Sequence, residues 1–228
     1  MRLFSLDKRL LKCSEFIEGK FIVDIGSDHA KLPIWLSLKE KIHHAIACDI
    51  SLFSINRIFE NIKKYKVEKT VEPRFSDGLS NVKENEIDSI IIAGLGGETI
   101  SKIISNCKWK NKSGKLYILQ PMTAENELRI FLAQNKFSIL KEEIVISRKR
   151  LYVIIKAEFT NNLYNFDPLI YPFLGKLRPG KLSLEYVKKQ IINIENRILG
   201  AKSCKNIKKI DCLNKIMKNL NEFLSKCG

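Results

Sequence analysis

The stretch IVDIGSDHAKLP (residues 22–33) ends an apolar run on an acidic residue and continues into a short polar loop. FIVDI (21–25) predicts a buried strand, because a short apolar run bounded by turn residues is typical of one. Gly26 has no side chain, so a ligand can approach the backbone closely there. A loop that binds a dinucleotide pyrophosphate usually carries several glycines, whereas Asp28 and His29 follow here. The stretch therefore predicts a strand-end binding loop for a different kind of ligand.

Strand and helix patterns alternate over the first 160 residues. Four further apolar runs predict strands, at HAIACDI (44–50), VEPRF (71–75), DSIIIAG (88–94) and KLYILQP (115–121). Residues 137–159 then predict two strands with no helix between them. This alternation predicts a parallel doubly wound sheet, and the closing hairpin adds one antiparallel strand. Seven strands with the antiparallel one at the edge resemble the α/β sheet of class I methyltransferases. Pro73 favours an edge position for its own strand.

The carboxyl ends of the strands carry polar or small residues. Ligands of open α/β sheets bind at such ends. Asp49 follows Asp24 by 25 residues, and an acid at that position can bind both hydroxyls of a ribose; the alternative is a helix cap beside Ser51. Asp77 can accept a hydrogen bond from an adenine amine, or belong to a plain Asp-Gly turn. AGLGG (93–97) leaves open backbone at the fourth strand end.

A cationic nucleoside fits these ends better than a dinucleotide does. S-adenosylmethionine has no phosphate, and it carries an amino acid, a sulfonium and a nucleoside. Two loop carboxylates, Asp24 and Asp28, attract an ammonium and a sulfonium by Coulomb's law. We therefore expect S-adenosylmethionine as the cofactor, and the shortage of glycines argues against a nicotinamide dehydrogenase.

IVDIGSDHAKLP, followed at these intervals by RFSDGL, IIAGLGGETI and LYILQP, resembles the bacterial tRNA (adenine-N1)-methyltransferases that act at tRNA position 22, the TrmK family. The likeness covers residues 5–157, and the C-terminal helices match that family's coiled-coil appendage. The resemblance implies methylation of ring nitrogen 1 of adenine. It also implies cofactor contacts at Asp24, Gly26, Asp28, His29, Asp49, Asp77, Gly78 and Gly94. We expect the target-base pocket at Gly96, Gly97, Gln120 and Pro121.

The AGLGG segment lacks the Asn/Asp-Pro-Pro-aromatic signature of methyltransferases that act on adenine's exocyclic amine. Ring nitrogen 1 already has an in-plane lone pair, so catalysis reduces mostly to positioning and desolvation. Asp28 is a candidate catalytic residue that could stabilise the cationic product; loop hydrogen bonding or cofactor orientation are the alternatives. His29 is a candidate general base, although none is obligatory, and loop packing is its alternative. Met122 stands where the family segment can end in Asn.

The composition indicates a polyanionic partner. The chain has 228 residues, 45% of them hydrophobic, and a formal net charge of +15. A surface so basic favours RNA or DNA binding. The alternative is a lysine-rich composition whose charge is spread for solubility. With the family resemblance, we expect tRNA as the partner.

The sequence pattern changes after residue 160, from alternating strands and helices to a turn-rich segment followed by heptads. We therefore divide the chain into a methyltransferase domain (1–160) and a helical appendage (161–228). Two heptad patterns predict an antiparallel coiled-coil hairpin: Leu184, Val187, Ile191, Ile194 and Ile198, then Ile210, Leu213, Met217, Leu220 and Leu224. The appendage has thirteen Lys or Arg against five Asp or Glu. We expect RNA contacts at Lys188, Lys189, Lys202, Lys205, Lys208 and Lys209. Dimerisation, or a strut packed on the sheet domain, are the alternatives.

Six scattered cysteines without a C-x-x-C pair predict reduced thiols, no metal site and a cytoplasmic location. No stretch is apolar enough to span a membrane. The N-terminal residues predict an amphipathic helix and not a signal peptide. We expect a monomer, although the sequence leaves the oligomeric state open. Two other functions stay open as well: a non-catalytic RNA-binding module on a degenerate methyltransferase fold, and a methyltransferase for another substrate.

Overall fold

The computed structural model describes residues 4–163 and 165–227, which form one seven-stranded sheet with helices on both faces. The strands are β1 (Phe21–Ile25), β2 (His44–Asp49), β3 (Val71–Phe75), β4 (Ser89–Leu95), β5 (Leu116–Pro121), β6 (Phe137–Ser147) and β7 (Arg150–Phe159). Their order is β3-β2-β1-β4-β5-β7-β6. The pairs among β1 to β5 are parallel, and β7 is antiparallel to both of its neighbours. The doubly wound sheet with an antiparallel last strand is confirmed, and so is the edge position of the strand that contains Pro73.

The place of the antiparallel strand was predicted wrongly. β7 lies between β5 and β6, and β6 forms the edge. The physical reason lies in the two sequences. β7 carries the buried run Val153, Ile154 and Ile155, which suits a central strand. β6 carries Lys141 and Glu143, and charged side chains are typical of an edge strand.

The helices pack in two layers. The helices before the appendage are α1 (Lys8–Phe16), α2 (Lys31–Leu38), α3 (Leu52–Tyr65), α4 (Gly97–Asn106) and α5 (Glu125–Gln134). Helices α1 to α3 contribute to one hydrophobic cluster on one sheet face, and α4 and α5 to the cluster on the other. Since successive crossovers place helices on both faces, the carboxyl ends of the parallel strands share one open edge.

The predicted C-terminal hairpin is confirmed. After a short helix, α6 (Tyr171–Leu174), two long helices pack against each other: α7 (Lys181–Ser203) and α8 (Ile207–Cys227). Val187, Ile194 and Leu220 are among the buried apolar residues of this hairpin. These residues join the same hydrophobic cluster as β4, β5 and α5. The hairpin is thus also packed on the sheet domain, and a boundary at residue 160 stays a prediction.

A buried ion pair anchors the appendage. Arg129 of α5 and Glu142 of β6 are both fully buried, with 2.8 Å between Nε and Oε1. Nη1 of Arg129 donates to the carbonyl of Pro172 at 2.7 Å and to the hydroxyl of Tyr186 on α7 at 3.3 Å. Gly175 adopts a φ of 52°, and a Cβ there would lie 1.9 Å from Oε2 of Glu142. The appendage is therefore attached through polar bonds inside the core, which the sequence did not reveal.

Within the ranges given above, no helix combines the length and apolar character of a membrane span. In the same ranges, no group of His, Cys, Asp and Glu side chains is arranged to hold a metal ion. Cys13, Cys48, Cys107, Cys204 and Cys212 are free thiols. The side chain of Cys227 lies outside the described part.

Candidate active site

The loop that follows β1 takes an unusual backbone path. Gly26 has a φ of 72°, and Asp28 and Ala30 have φ values of 43° and 52°. The N–H groups of Gly26 and Ser27 both donate to the carbonyl of Cys48, each at 2.9 Å. Non-glycine residues in the left-handed region cost energy, so such residues concentrate at functional sites. We call residues 26–30 the β1 loop.

The carboxylate of Asp49, at the end of β2, binds the backbone of two neighbouring segments. The N–H of Asp28 donates to Oδ2 of Asp49 at 3.3 Å, and the N–H of Ser51 donates to Oδ1 at 2.9 Å. Asp49 therefore holds the β1 loop against β2. Ser51 also caps α3, because its side chain accepts from the N–H of Ser54 at 3.4 Å. The helix-cap alternative for this turn is thus realised by Ser51, while the carboxylate of Asp49 orders the loop.

Asp24 is nearly fully buried at the end of β1, with an exposure of 6%. Its carboxylate accepts a hydrogen bond from the Ser27 hydroxyl at 2.6 Å. Burial raises the pKa of Asp24 to about 7; the Ser27 bond opposes the rise, and the charge of Asp49 adds to it. A carboxyl with this pKa is ready to ionise when a cation approaches.

These strand ends surround a cavity of about 730 Å³, which we call the acidic cavity. Three carboxylates line it, those of Asp28, Asp49 and Asp77, against one lysine, Lys102. Apolar side chains complete its lining: Ile25, Ile50, Leu79, Leu95 and Ile103. A volume of this order suits a nucleoside-sized ligand. The excess of carboxylates favours a cationic one.

The structure brings together most of the residues predicted to bind the cofactor. Gly26, Asp28, Asp49, Asp77 and Gly78 line the acidic cavity. Asp24 lies beneath the β1 loop. The positive φ of Gly78 (55°) places it in the Asp-Gly turn foreseen from the sequence.

Two predicted cofactor residues lie elsewhere. Gly94 lies exposed at the end of β4 with a φ of 84°, and a Cβ on it would meet no atom within 4 Å. It therefore does provide open backbone at that strand end. His29 lines a different cavity on the other side of the β1 loop.

Asp28 is engaged by α3. Its Oδ1 lies 3.1 Å from Nη1 of Arg57 and accepts from the Ser54 hydroxyl at 3.3 Å. The same Nη1 lies 3.0 Å from Nε2 of His29. Arg57 was not singled out from the sequence, although its spacing of three from Ser54 puts both on one face of α3. The charge of Asp28 is thus partly balanced, which favours its orienting role over a purely electrostatic one.

The four residues expected in the target-base pocket form a packed wall. Gly97 is buried, and a Cβ on it would lie 2.2 Å from the carbonyl oxygen of Ala124. Gln120 is fully buried, donates to the carbonyl of Pro121 at 2.7 Å and accepts from Arg9 at 3.0 Å. Gly96 is the member of this set that is half-buried. Direct base contact by Gln120 would need it to leave these partners, so the pocket stays a prediction.

The six lysines predicted to contact RNA are all exposed on the appendage. Lys188 and Lys189 lie near the base of α7, and Lys189 also lines a small cavity with Pro121 and Tyr152. The other four, Lys202, Lys205, Lys208 and Lys209, lie around the hairpin tip. Lys202 follows Lys188 by fourteen positions along α7, which corresponds to about 20 Å. A surface of this length suits an extended polyanion better than a single phosphate.

Comparisons with known proteins show which family of proteins this chain is similar to. A family model described as a methyltransferase domain matches residues 6–155. The tRNA (adenine(22)-N(1))-methyltransferase of Bacillus subtilis (strain 168) is 32% identical over 184 residues, which are 77% of this chain and 77% of that protein.

Two solved structures match nearly the whole chain. The crystal structure of the B. subtilis m1A22 tRNA methyltransferase TrmK has a TM-score of 0.84 at 26% identity, covering 98% of this chain and 100% of that one. M. capricolum TrmK, in complex with S-adenosylhomocysteine, has a TM-score of 0.80 at 26% identity, covering 96% and 99%. The likeness extends over the sheet and the C-terminal helices alike.

Proposed function

The chain belongs to the TrmK family of S-adenosylmethionine-dependent tRNA (adenine(22)-N1)-methyltransferases, and from this premise we propose that it methylates ring nitrogen 1 of adenine 22 in tRNA directly, without a general base. The observation that supports this proposal most is the acidic cavity beside the open backbone of Gly94. The cavity offers a place for a positively charged methyl donor, and the bare strand end leaves room for a base edge.

The residues present fit S-adenosylmethionine. We assign Asp49 to the ribose hydroxyls, Asp77 to the adenine amine, and Asp24 with Asp28 to the cationic amino-acid end; the place of Asp28, Asp49 and Asp77 in the lining of the acidic cavity supports this assignment. When bound, the cofactor supplies an electrophilic methyl group. Gly26 keeps the backbone accessible, because it carries no side chain between the strand end and the ligand.

The protein's own contribution to catalysis is positioning. Ring nitrogen 1 has a lone pair in the ring plane, so no proton has to be removed before it accepts a methyl group. Holding the two reactants in line, away from water, can account for a large part of the acceleration. The side chain of His29, within the β1 loop, bonds to Arg57 and lines the cavity on the face of the loop away from the acidic cavity, which supports a positioning role for it.

Asp28 is the candidate for contact with the reaction centre. Asp28 lines the acidic cavity, and Arg57 and Ser54 hold its carboxylate in place. In this role it orients the cationic donor, and it offsets part of the positive charge that the methylated adenine acquires. Ring nitrogen 1 lies on the pairing edge of the base, so the target adenine has to be unpaired or flipped out first. A tRNA substrate also agrees with a cytoplasmic location.

The deciding experiment uses two tRNA transcripts that differ only at position 22. The protein is incubated with S-adenosylmethionine and either the adenosine-22 transcript or its guanosine-22 counterpart. The RNA is digested at neutral pH, and nucleosides are identified by chromatography and mass against standards. We expect 1-methyladenosine from the first transcript and none from the second.

Other outcomes would point to the competing functions. N6-methyladenosine as the product would overturn the proposed mechanism. Cofactor binding in calorimetry without any methyl transfer would indicate a non-catalytic RNA-binding module. Transfer from labelled cofactor to cell extract, but not to tRNA, would indicate a different substrate.

A further inference from the structure

A second cavity lies on the other side of the β1 loop. It has a volume of about 830 Å³ and is lined by the N-terminal segment 4–10, by His29 and Lys31, by Asn61 and Tyr65 of α3, and by residues 146–149. We call it the basic cleft. Five cationic side chains line it against a single carboxylate, that of Asp7: Lys8, Arg9, Lys31, Arg148 and Lys149.

The carboxylate of Asp7, which lines the basic cleft, already has hydrogen-bond partners. Asp7 lies 3.1 Å from Nε of Arg9, and the hydroxyl of Ser147 donates to it at 3.1 Å. Burial opposes its ionisation, but hydrogen bonds from Arg9 outweigh this and lower the pKa of Asp7. These bonds tie the N-terminal segment to the β6–β7 turn, so both walls of the cleft are held in place.

The other cations are free to bind an anion. Lys8, Lys31, Arg148 and Lys149 are exposed, and none of them forms an ion pair with a carboxylate in the described part of the chain. An anionic ligand in the cleft would therefore meet uncompensated positive charge on two sides.

The β6–β7 turn holds two of these cations in a strained backbone conformation. Ser147 pairs with Arg150, so the turn has two residues, Arg148 and Lys149, with φ values of 48° and 63°. A two-residue turn with both φ values positive strongly favours Asn-Gly. Side chains other than Gly or Asn are strained in that region. The turn thus carries charge where folding alone favours different residues.

The cleft also offers an aromatic surface. The rings of Phe4 and Tyr65 lie 5.1 Å apart between centroids with an interplanar angle of 57°, and both are half-buried in its lining. Aromatic side chains beside cations are the usual combination for binding single-stranded nucleic acid, since bases stack on rings while phosphates bind cations.

We propose that the basic cleft binds a nucleotide of the tRNA strand next to the target adenine, with its phosphate at Arg148 and Lys149 and its base against Phe4 and Tyr65. The location supports this, because only the β1 loop separates the cleft from the acidic cavity: Asp28 lines one and His29 the other. The inference rests on the proposed function and adds an RNA-binding site apart from the appendage lysines.

The main test replaces the two turn cations by the residues that the turn geometry prefers, in the double variant Arg148→Asn with Lys149→Gly. This change removes two charges and relieves backbone strain, so folding is preserved. The control is Lys108→Ser with Lys112→Ser, which removes two exposed lysines from the loop before β5. This loop lies at the amino ends of the parallel strands, and the two lysines line neither cavity. Affinity for a tRNA transcript is measured by fluorescence anisotropy at several salt concentrations, and affinity for S-adenosylmethionine by calorimetry.

We expect the turn variant to bind tRNA about 10-fold or more weakly and to reduce the slope of log affinity against log salt by roughly 0.7–0.9, the contribution of the one phosphate held at this turn. The control should shift tRNA affinity less than 3-fold, and both should bind S-adenosylmethionine like the parent protein. Unchanged tRNA affinity and slope in the turn variant would overturn the inference.

The aromatic surface has its own test. Tyr65→Ala should weaken tRNA binding by about 5- to 100-fold, the range for losing one stacked base, whereas Tyr65→Phe, which keeps the ring, should bind like the parent protein. Equal tRNA affinity of the two variants would contradict the proposal that a base binds against Phe4 and Tyr65. The proposed function fails separately: if the parent protein does not methylate tRNA while the turn variant still loses affinity, the cleft is an RNA site without that reaction.

Discussion

The acidic cavity and the basic cleft are neighbours with opposite charge. One has three carboxylates and one lysine, and the other has five cations and one carboxylate. Both open at the carboxyl edge of the same sheet, and the five residues of the β1 loop divide them. The difference teaches that a short loop can separate a site for a cation from a site for a polyanion. The two ligands then meet without competing for the same side chains.

The largest expected difference between the two cavities is their response to salt. Raising salt from 50 to 200 mM should weaken tRNA binding by roughly 1000-fold if six phosphates are neutralised. S-adenosylmethionine binding should change less than 3-fold, because it replaces no condensed counterions. Anisotropy and calorimetry over one salt series measure both. A tRNA affinity that is flat with salt would contradict the assignment of the basic surfaces.

Removing the carboxylate of Asp49 should affect ligand binding in the acidic cavity far more than in the basic cleft. We expect Asp49→Ala to weaken S-adenosylmethionine binding by about 10- to 100-fold, the range for losing charge-assisted hydrogen bonds. Affinity for tRNA should stay within 2-fold. Asp211→Ala, which removes an exposed carboxylate on α8, is the matched control. Equal losses for both ligands would show that the two cavities are not independent.

The raised pKa of Asp24 predicts a pH dependence for the acidic cavity alone. Because the carboxyl titrates at about pH 7 in the folded protein, its negative charge appears as pH rises from 6 to 7.5. S-adenosylmethionine affinity should therefore rise about 5- to 10-fold over this range. Calorimetry at both pH values measures it, and Asp24→Asn should abolish the change. A pH-independent affinity in the parent protein would contradict the assignment.

The same titration affects stability in the opposite direction. The folded-state pKa of Asp24 lies above its ordinary value of 3.8, so the folded protein holds this proton more tightly than the unfolded chain does. The resulting stabilisation is full below about pH 4 and is lost as pH rises through 7. In the absence of ligand, Asp24→Asn should therefore flatten the pH dependence of unfolding in this window.

The smallest expected effect is that of replacing His29 in the β1 loop, which separates the two cavities. Replacing His29 by Asn should lower the single-turnover methylation rate less than 10-fold, with no change in its pH profile between 6 and 8. Loss of a true general base costs about 10²- to 10⁴-fold. Rapid-quench measurements over that pH range decide the point. A loss above 100-fold together with an altered acidic limb would make His29 a base after all.

Much of the sheet could be predicted from the sequence, because most of the parallel strands are short apolar runs with a Gly, Asp or Pro at or near their ends. Asp24 and Asp49 were found for a related reason, since Asp49 ends β2 and Asp24 is the penultimate residue of β1. The position of β7 could not be predicted by alternation, because a hairpin has two ways to join a sheet and side-chain burial decides between them.

The rest of the site depends on contacts between distant residues. Arg57 meets Asp28 from a different element, and Asp7 meets Ser147 across 140 residues. The basic cleft exists only because these segments converge. Its cations looked ordinary in the sequence, where the appendage lysines drew attention first. Local patterns predict strands and caps, whereas a surface formed from three separate segments appears only once the chain is folded.

The anchoring of the appendage by Arg129 restricts how this chain can be shortened. A truncation at residue 160 would remove the Pro172 carbonyl and the Tyr186 hydroxyl, and leave the guanidinium with Glu142 and Asn126 as its hydrogen-bond partners. Losing the partners of a buried charge is strongly destabilising. Among the described residues, those of the hairpin tip (199–206) form no comparable hydrogen bonds with the sheet. Length variation among descendants of this chain should therefore accumulate at the far end of the hairpin, while its root is inherited together with the catalytic sheet.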